Sequence, residues 1–139
     1  MRMDNLLRLF VEWSYNKERK KSGITDFQLR QLVVELLADP KDGSLGGGVY
    51  KKRVALQAGT RGGARTIIIY HQGDRVYFLD GWEKKDVPKS GPEIPPNVLN
   101  FYKLQSRMFK SKTENQIKTD LENKVYIEMA KAEVEKKYD

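Results

Sequence analysis

Five cations carry the chemical interest of this chain: Lys51, Arg53, Arg65, Lys84 and Lys85. Lys51 and Arg53 stand two apart in the β-forming run Val49 to Leu56. Alternation along a strand puts Val49, Lys51, Arg53 and Ala55 on one face and Tyr50, Lys52, Val54 and Leu56 on the other. The second set is the more apolar and is expected to face helices. Lys51 and Arg53 then project together from the open face, while Lys52 snorkels at a strand end. Arg65 opens the next strand directly after Gly62-Gly63. Same-face groups of neighbouring antiparallel strands lie close, so Lys51, Arg53 and Arg65 are expected to form a cationic concavity. Gly62 and Gly63 would let a phosphodiester approach the backbone N–H groups there. Arg61, Lys84 and Lys85 add charge at the rim. Like charges this close repel one another unless an anion sits between them, which favours a phosphate site over a structural role.

The wider charge pattern agrees. Net charge is +7 over 139 residues. Residues 49–89 carry 9 Lys/Arg against 4 Asp/Glu, or +5, while residues 1–48 (8 against 7) and 90–139 (9 against 8) carry +1 each. No acidic residue occurs from Gly43 to Gly73, a stretch holding Lys51, Lys52, Arg53, Arg61 and Arg65. Such a field attracts polyanions, nucleic acid first. A merely solubilising face normally intersperses both signs.

Other chemistries are set aside by residue type. There are no cysteines, so disulfides, thiol nucleophiles and thiolate metal sites are excluded. His71 is the only histidine; its place at a strand end beside a turn reads as structural or exposed. Asp74, Asp80, Glu83 and Asp86 are scattered among lysines without metal-ligand spacing. No phosphate-binding Gly-x-x-x-x-Gly-Lys-Ser/Thr loop is present, and no helix follows Gly59-Thr60-Arg61-Gly62-Gly63. No metal and no cofactor are expected. A cationic site without either is suited to cleaving RNA, which supplies its own 2′-OH nucleophile. The protein must orient that group, stabilise charge on phosphorus and help the 5′-oxygen leave.

The elements that position these residues read as one domain over residues 1–139. Leu6, Leu9, Phe10 and Trp13 fall at helical spacing and predict a helix over residues 5–20. Thr25 with Gln28 forms a capping box for a second helix, whose stripe is Leu29, Leu32, Val33, Leu36 and Leu37, and Asp39-Pro40 ends it. The pair is expected to form a helical hairpin on one side of a small twisted antiparallel sheet. Val49 to Leu56, Arg65 to His71 and Arg75 to Trp82 are predicted to run as an antiparallel meander, with Gln72-Gly73-Asp74 as a hairpin turn. After a Pro/Gly connector, Lys89 to Pro96, a C-terminal helix spans Asn97 to Phe109 with Val98, Phe101, Tyr102 and Phe109 on its apolar side. A short helix capped by Thr113 and Gln116 follows, then a last strand within Lys124 to Met129, and residues 130–139 form a charged, helix-prone tail. The fold class is therefore α+β. No run approaches the ~20 apolar residues of a membrane span and no signal peptide opens the chain, so a cytoplasmic protein without a membrane partner is expected.

The joined motifs Leu45-Gly46-Gly47-Gly48-Val49-Tyr50-Lys51-Lys52-Arg53-Val54-Ala55-Leu56, Gly62-Gly63-Ala64-Arg65-Thr66 and Gly73-Asp74-Arg75-Val76-Tyr77-Phe78-Leu79 resemble a RelE/HigB-like branch of type II toxins. The likeness extends loosely to Phe10 through Trp13, to Gly23-Ile24-Thr25-Asp26 and to Tyr126-Ile127-Glu128. It implies an α+β toxin of a toxin–antitoxin system. It further implies cleavage of mRNA, usually in the ribosomal A site, inhibition of translation, and a cognate antitoxin as partner. In RelE, two basic residues two apart on a strand, an arginine after a glycine-aromatic turn and a basic residue after the next strand line the site. The matching positions are Lys51, Arg53, Arg65 and Lys85. The chain departs from the pattern in three ways: no tyrosine lies between Asp86 and Pro96, Asp80 replaces an aromatic before Gly81, and Lys84-Lys85-Asp86 replaces Lys-Asn-Glu. Two other readings stay open, a ParE-like inhibitor of DNA gyrase and a non-enzymatic RNA- or ribosome-binding module.

Overall fold

The apolar run before Glu12 is a strand, not the first half of a helix. In the computed structural model, which describes residues 7–57 and 62–130, β1 spans Arg8–Glu12 and α1 follows at Trp13–Lys21. Leu9 and Val11 point into one apolar cluster and Phe10 into the other, all three fully buried. A strand covered on both faces reads as an unbroken apolar run, which periodicity alone does not separate from a buried helix. Glu12 ends the strand and caps the helix, its carboxylate accepting the Tyr15 N–H at 2.7 Å.

The chain continues through α2 (Asp26–Ala38), β2 (Ser44–Gly46), β3 (Val49–Val54), β4 (Ala64–Tyr70) and β5 (Arg75–Glu83). It closes with α3 (Pro96–Lys110), α4 (Glu114–Glu122) and β6 (Tyr126–Met129). The six strands lie in the order β2-β3-β4-β5-β1-β6. The fold is α+β, as expected, and β3, β4 and β5 form the expected antiparallel meander. Two corrections apply. The sheet is mixed, because β1 runs parallel to β5 and antiparallel to β6. Its first strand precedes both N-terminal helices, so the chain does not open with the expected helical hairpin.

Helices cover both faces of the sheet. On one, Leu29, Leu32, Val33 and Leu36 of α2 and Tyr15 of α1 meet Tyr50, Val54, Ile68 and Phe78. Thr25 and Gln28 cap α2 reciprocally, as do Thr113 and Gln116 for α4. On the other face, Tyr102 and Phe109 of α3 and Ile117 of α4 cover Phe10, Val49, Ile67, Ile69 and Tyr77. The face expected to stay open is thus covered at its centre and exposed only toward the end carrying Lys51 and Arg53. Phe101 does not join this layer: it is 52% exposed. No described helix is long and apolar enough to cross a membrane.

Candidate active site

The site begins with the register of β3 and β4. Lys51 stands opposite Ile67 and Arg53 opposite Arg65, while Arg65 in turn stands opposite Trp82 of β5. The three predicted cations therefore share one face at one end of the sheet. β2 pairs with Val49 and Tyr50, and the Lys51 N–H donates to the Gly43 carbonyl at 2.9 Å, which leaves β3 as an edge from Lys52 onward. A cleft at that edge is lined by Lys51, Lys52, Arg53, Arg65 and Glu93, with Glu35 and Asp42 on its α2 side.

The anion required between these cations is a residue of the chain itself. Glu93 comes from the connector that follows β5. Its carboxylate lies 2.7 Å from the Lys51 ammonium, 3.6 Å from Nε of Arg65 and 3.7 Å from the Lys84 ammonium. The Trp82 indole N–H donates to it at 3.3 Å. Burial raises the Glu93 pKa. The hydrogen bonds from Lys51 and Trp82, with the charges of Lys51 and Arg65, outweigh burial and hold it below the usual carboxylate value. Sequence reasoning missed this residue. The one signal for it was the repulsion among three neighbouring cations, which calls for an acid, and Glu93 is the one carboxylate in the connector Lys89 to Pro96.

Arg65 is almost buried, its side chain 8% exposed. Its guanidinium donates to the Gly62 carbonyl at 2.7 Å and the Ala64 carbonyl at 3.2 Å, which fixes the fork in place. The glycine turn thus presents a carbonyl to Arg65. Both glycines have positive φ, +80° at Gly62 and +59° at Gly63. A side chain at Gly63 would run into the Val54 carbonyl, and one at Gly62 into the stem of Lys84. The Gly63 carbonyl accepts the Lys84 N–H at 2.9 Å. The turn therefore ties the start of β4 to the segment bearing Lys84.

Past β5, a 3-10 turn at Lys84–Asp86 sends the two lysines apart. Lys84 reaches Glu93, whereas the Lys85 ammonium pairs with Glu83 at 3.6 Å and its side chain is 64% exposed. Glu83 also accepts the Ser22 hydroxyl at 2.7 Å, on the α1 side of the sheet. Lys84, rather than Lys85, joins the cluster. Lys52 is also apart from it: on the opposite strand face, 3% exposed, its ammonium pairs with Asp42 at 3.2 Å. Burial rather than snorkelling accounts for it. Arg61 lies outside the described residues.

Two further expectations find an account nearby. Asp80, the departure before Gly81, accepts the Tyr102 hydroxyl at 2.6 Å and the Gly81 N–H at 2.8 Å. It pins α3 to the sheet. The same contact and burial push the Tyr102 phenol far above its ordinary pKa, burial being the larger cause. His71 sits at the far end of β4. Its Nε2 lies 2.8 Å from the Ser106 hydroxyl, which donates to the Gly47 carbonyl at 2.6 Å. This ties α3 to the glycine loop before β3. Among the described residues, no group of His, Cys, Asp or Glu has a metal-holding arrangement.

Residues 7–129 match the family described as RelE toxin of RelE / RelB toxin-antitoxin system. The chain belongs to the RelE toxin family. The match runs from just before β1 to the end of β6, so it takes in every element that builds the cleft. No curated protein matches the chain. Membership implies a cognate antitoxin as partner. Within this RelE-type toxin, the connector that lacks the tyrosine of RelE carries Glu93 instead, and that carboxylate reaches the Lys51–Arg65–Lys84 cluster.

Proposed function

We propose that this RelE-family toxin is an endoribonuclease that cuts ribosome-bound mRNA in the cytoplasm, blocks translation and arrests growth until its antitoxin captures it. The observation that carries the reading is the convergence of Lys51, Arg65 and Lys84 on one carboxylate position at an open sheet edge, with Arg53 lining the same cleft. With Lys84, five cations stand against the carboxylates Glu35, Asp42 and Glu93, which leaves the cleft net positive. A phosphodiester fits such a position as well as a carboxylate does, and Arg65 is held ready by two carbonyls before any substrate arrives.

Attack of the 2′-oxygen on phosphorus adds negative charge to the non-bridging oxygens, which the Lys51, Arg53 and Arg65 side chains stabilise. Lys84 stands at the same point to offset charge on the departing 5′-oxygen. In this reading Lys51, Arg53, Arg65 and Lys84 make up the catalytic face. Lys85 with the Gly62-Gly63 turn lies at its margin, and Lys52 serves the fold.

The test is to add the purified protein to a translation reaction and follow the message. Cleavage within translated mRNA supports the proposal. Intact message with continued translation contradicts it. Intact message with tight, salt-sensitive RNA binding points to a docking module, and DNA damage in cells with stable mRNA points to a gyrase inhibitor.

A further inference from the structure

The cation cluster stabilises charge but offers no group to take the proton from the 2′-OH. Lysine and arginine are already protonated at neutral pH. His71 is bound to Ser106 and lies about 20 Å from Arg65, six residues along β4 at ~3.3 Å each. Tyr102 is 2% exposed and donates to Asp80. Asp80 is engaged by Tyr102 and the Gly81 N–H. Among the other carboxylates lining the cleft, Asp42 is engaged by Lys52, and Glu35 stands on the α2 side. Glu93 is the carboxylate in contact with the cations that face the phosphate.

We propose that Glu93 is the general base of the cleavage reaction, released for that role when the scissile phosphate takes its place on Lys51 and Arg65. The inference rests on the nuclease reading above. Three of the four cations that would hold the phosphate, Lys51, Arg65 and Lys84, already lie within 2.7 to 3.7 Å of the Glu93 carboxylate, so a phosphate bound to them sits beside it. The 2′-OH next to that phosphate then falls within one hydrogen bond of an Oε. Glu93 stands in the connector between the 3-10 turn and α3, outside helix and strand, so a small backbone shift lets it move aside without unpairing the sheet. The Trp82 indole keeps one Oε oriented while Lys51 leaves the other.

The step balances simply. The 2′-oxygen gives its proton to Glu93 and forms a bond to phosphorus as the bond from phosphorus to the 5′-oxygen breaks. The 5′-oxygen takes a proton from water, and the hydroxide so formed removes the proton held by Glu93. The products are a 2′,3′-cyclic phosphate and a 5′-hydroxyl. The groups facing Glu93 are Lys51 from β3, Arg65 from β4, and Trp82 and Lys84 from β5 and the turn after it. Phosphate binding engages the three cations and leaves the carboxylate with the indole alone, a better base than in the free protein.

The test compares the wild type, Glu93→Gln and Glu93→Asp in single-turnover cleavage of mRNA on programmed ribosomes. Affinity is measured on the same complexes carrying a 2′-deoxy message that cannot be cut, and thermal unfolding confirms that each variant is folded. For a general base, Glu93→Gln slows cleavage by about 10²-fold or more, binds the uncut message at least as tightly, and loses the acid limb of the pH–rate profile. Glu93→Asp restores part of the rate. A folded Glu93→Gln that cleaves at the wild-type rate overturns the inference and leaves the nuclease reading intact. A wild type that binds the message without cutting it overturns both.

Discussion

Arg53 and Arg65 face each other directly across β3 and β4, one exposed and the other almost buried. Two like charges in a cross-strand pair are destabilising. The pair persists because Arg65 donates to the Gly62 and Ala64 carbonyls and lies 3.6 Å from Glu93. A planar fork held this way is not replaced by an ammonium. Arg65→Lys is therefore expected to keep the charge and lose about 10²-fold in cleavage rate, the scale of removing one preorganised donor. Single-turnover cleavage measures it, and an unimpaired Arg65→Lys enzyme would show that the fork has no part.

The glycine turn gives a graded prediction. Gly63→Ala must hold φ near +59° and meets the Val54 carbonyl. The left-handed backbone alone costs roughly 1–2 kcal/mol, and the collision adds to it. Gly62→Ala must likewise hold a left-handed φ, near +80°, and meets Cγ and Cβ of Lys84. A side chain and not a backbone carbonyl has to give way there, so it should cost less than Gly63→Ala and shift Lys84. Gly73→Ala has open space and no positive φ, and is expected to stay within about 0.5 kcal/mol of wild type. Denaturant midpoints should fall in that order, with cleavage lost in Gly62→Ala and kept in Gly73→Ala.

Glu93 also gives the fold an acid limit. Its pKa is lower in the folded chain than its ordinary value of 4.5. The ion pairs with Lys51 and Arg65 therefore stabilise the protein fully above that value, and the contribution is lost as pH falls below it toward the folded pKa. Glu93→Gln has no such titration. The difference in unfolding temperature between wild type and Glu93→Gln should be constant from pH 6 to 8 and change as pH drops below about 4.5. A difference independent of pH down to 3 would contradict the ion-pair geometry.

Ser106 and His71 are predicted to matter for stability and not for chemistry. Ser106 is fully buried, and its hydroxyl serves both His71 and the Gly47 carbonyl. Ser106→Ala leaves those partners short of a hydrogen bond, at a cost of roughly 1–3 kcal/mol. Burial is the main cause holding the His71 pKa below 6.5, so folding favours the neutral ring. Stability should then fall as pH drops below 6.5, because the unfolded chain takes up the proton first. Urea unfolding at pH 7.5 and 5.5 checks both points, alongside unchanged cleavage by Ser106→Ala.

The legible parts of the fold are those set by local rules. The β3–β5 meander follows from alternation and the Gln72-Gly73-Asp74 turn, and the capping boxes at Thr25 and Thr113 stand where the sequence places them. Alternation also put Lys51 and Arg53 on one face. β1 was hidden because Leu9, Phe10 and Val11 are buried on both sides. Lys84 and Lys85 could not be told apart, since the 3-10 turn that separates them leaves no periodic mark. Glu93 was out of reach for a different reason: it meets Lys51 from 42 residues away along an irregular connector.

The most direct measurement maps mRNA 5′ ends in a translation reaction with the wild type and with Arg65→Glu, a variant checked to be folded. We predict new 5′-hydroxyl ends within the ribosome-bound message for the wild type and none for Arg65→Glu. Uncut message with the wild type, or equal cutting by both, would contradict the assignment of this cleft as the nuclease site.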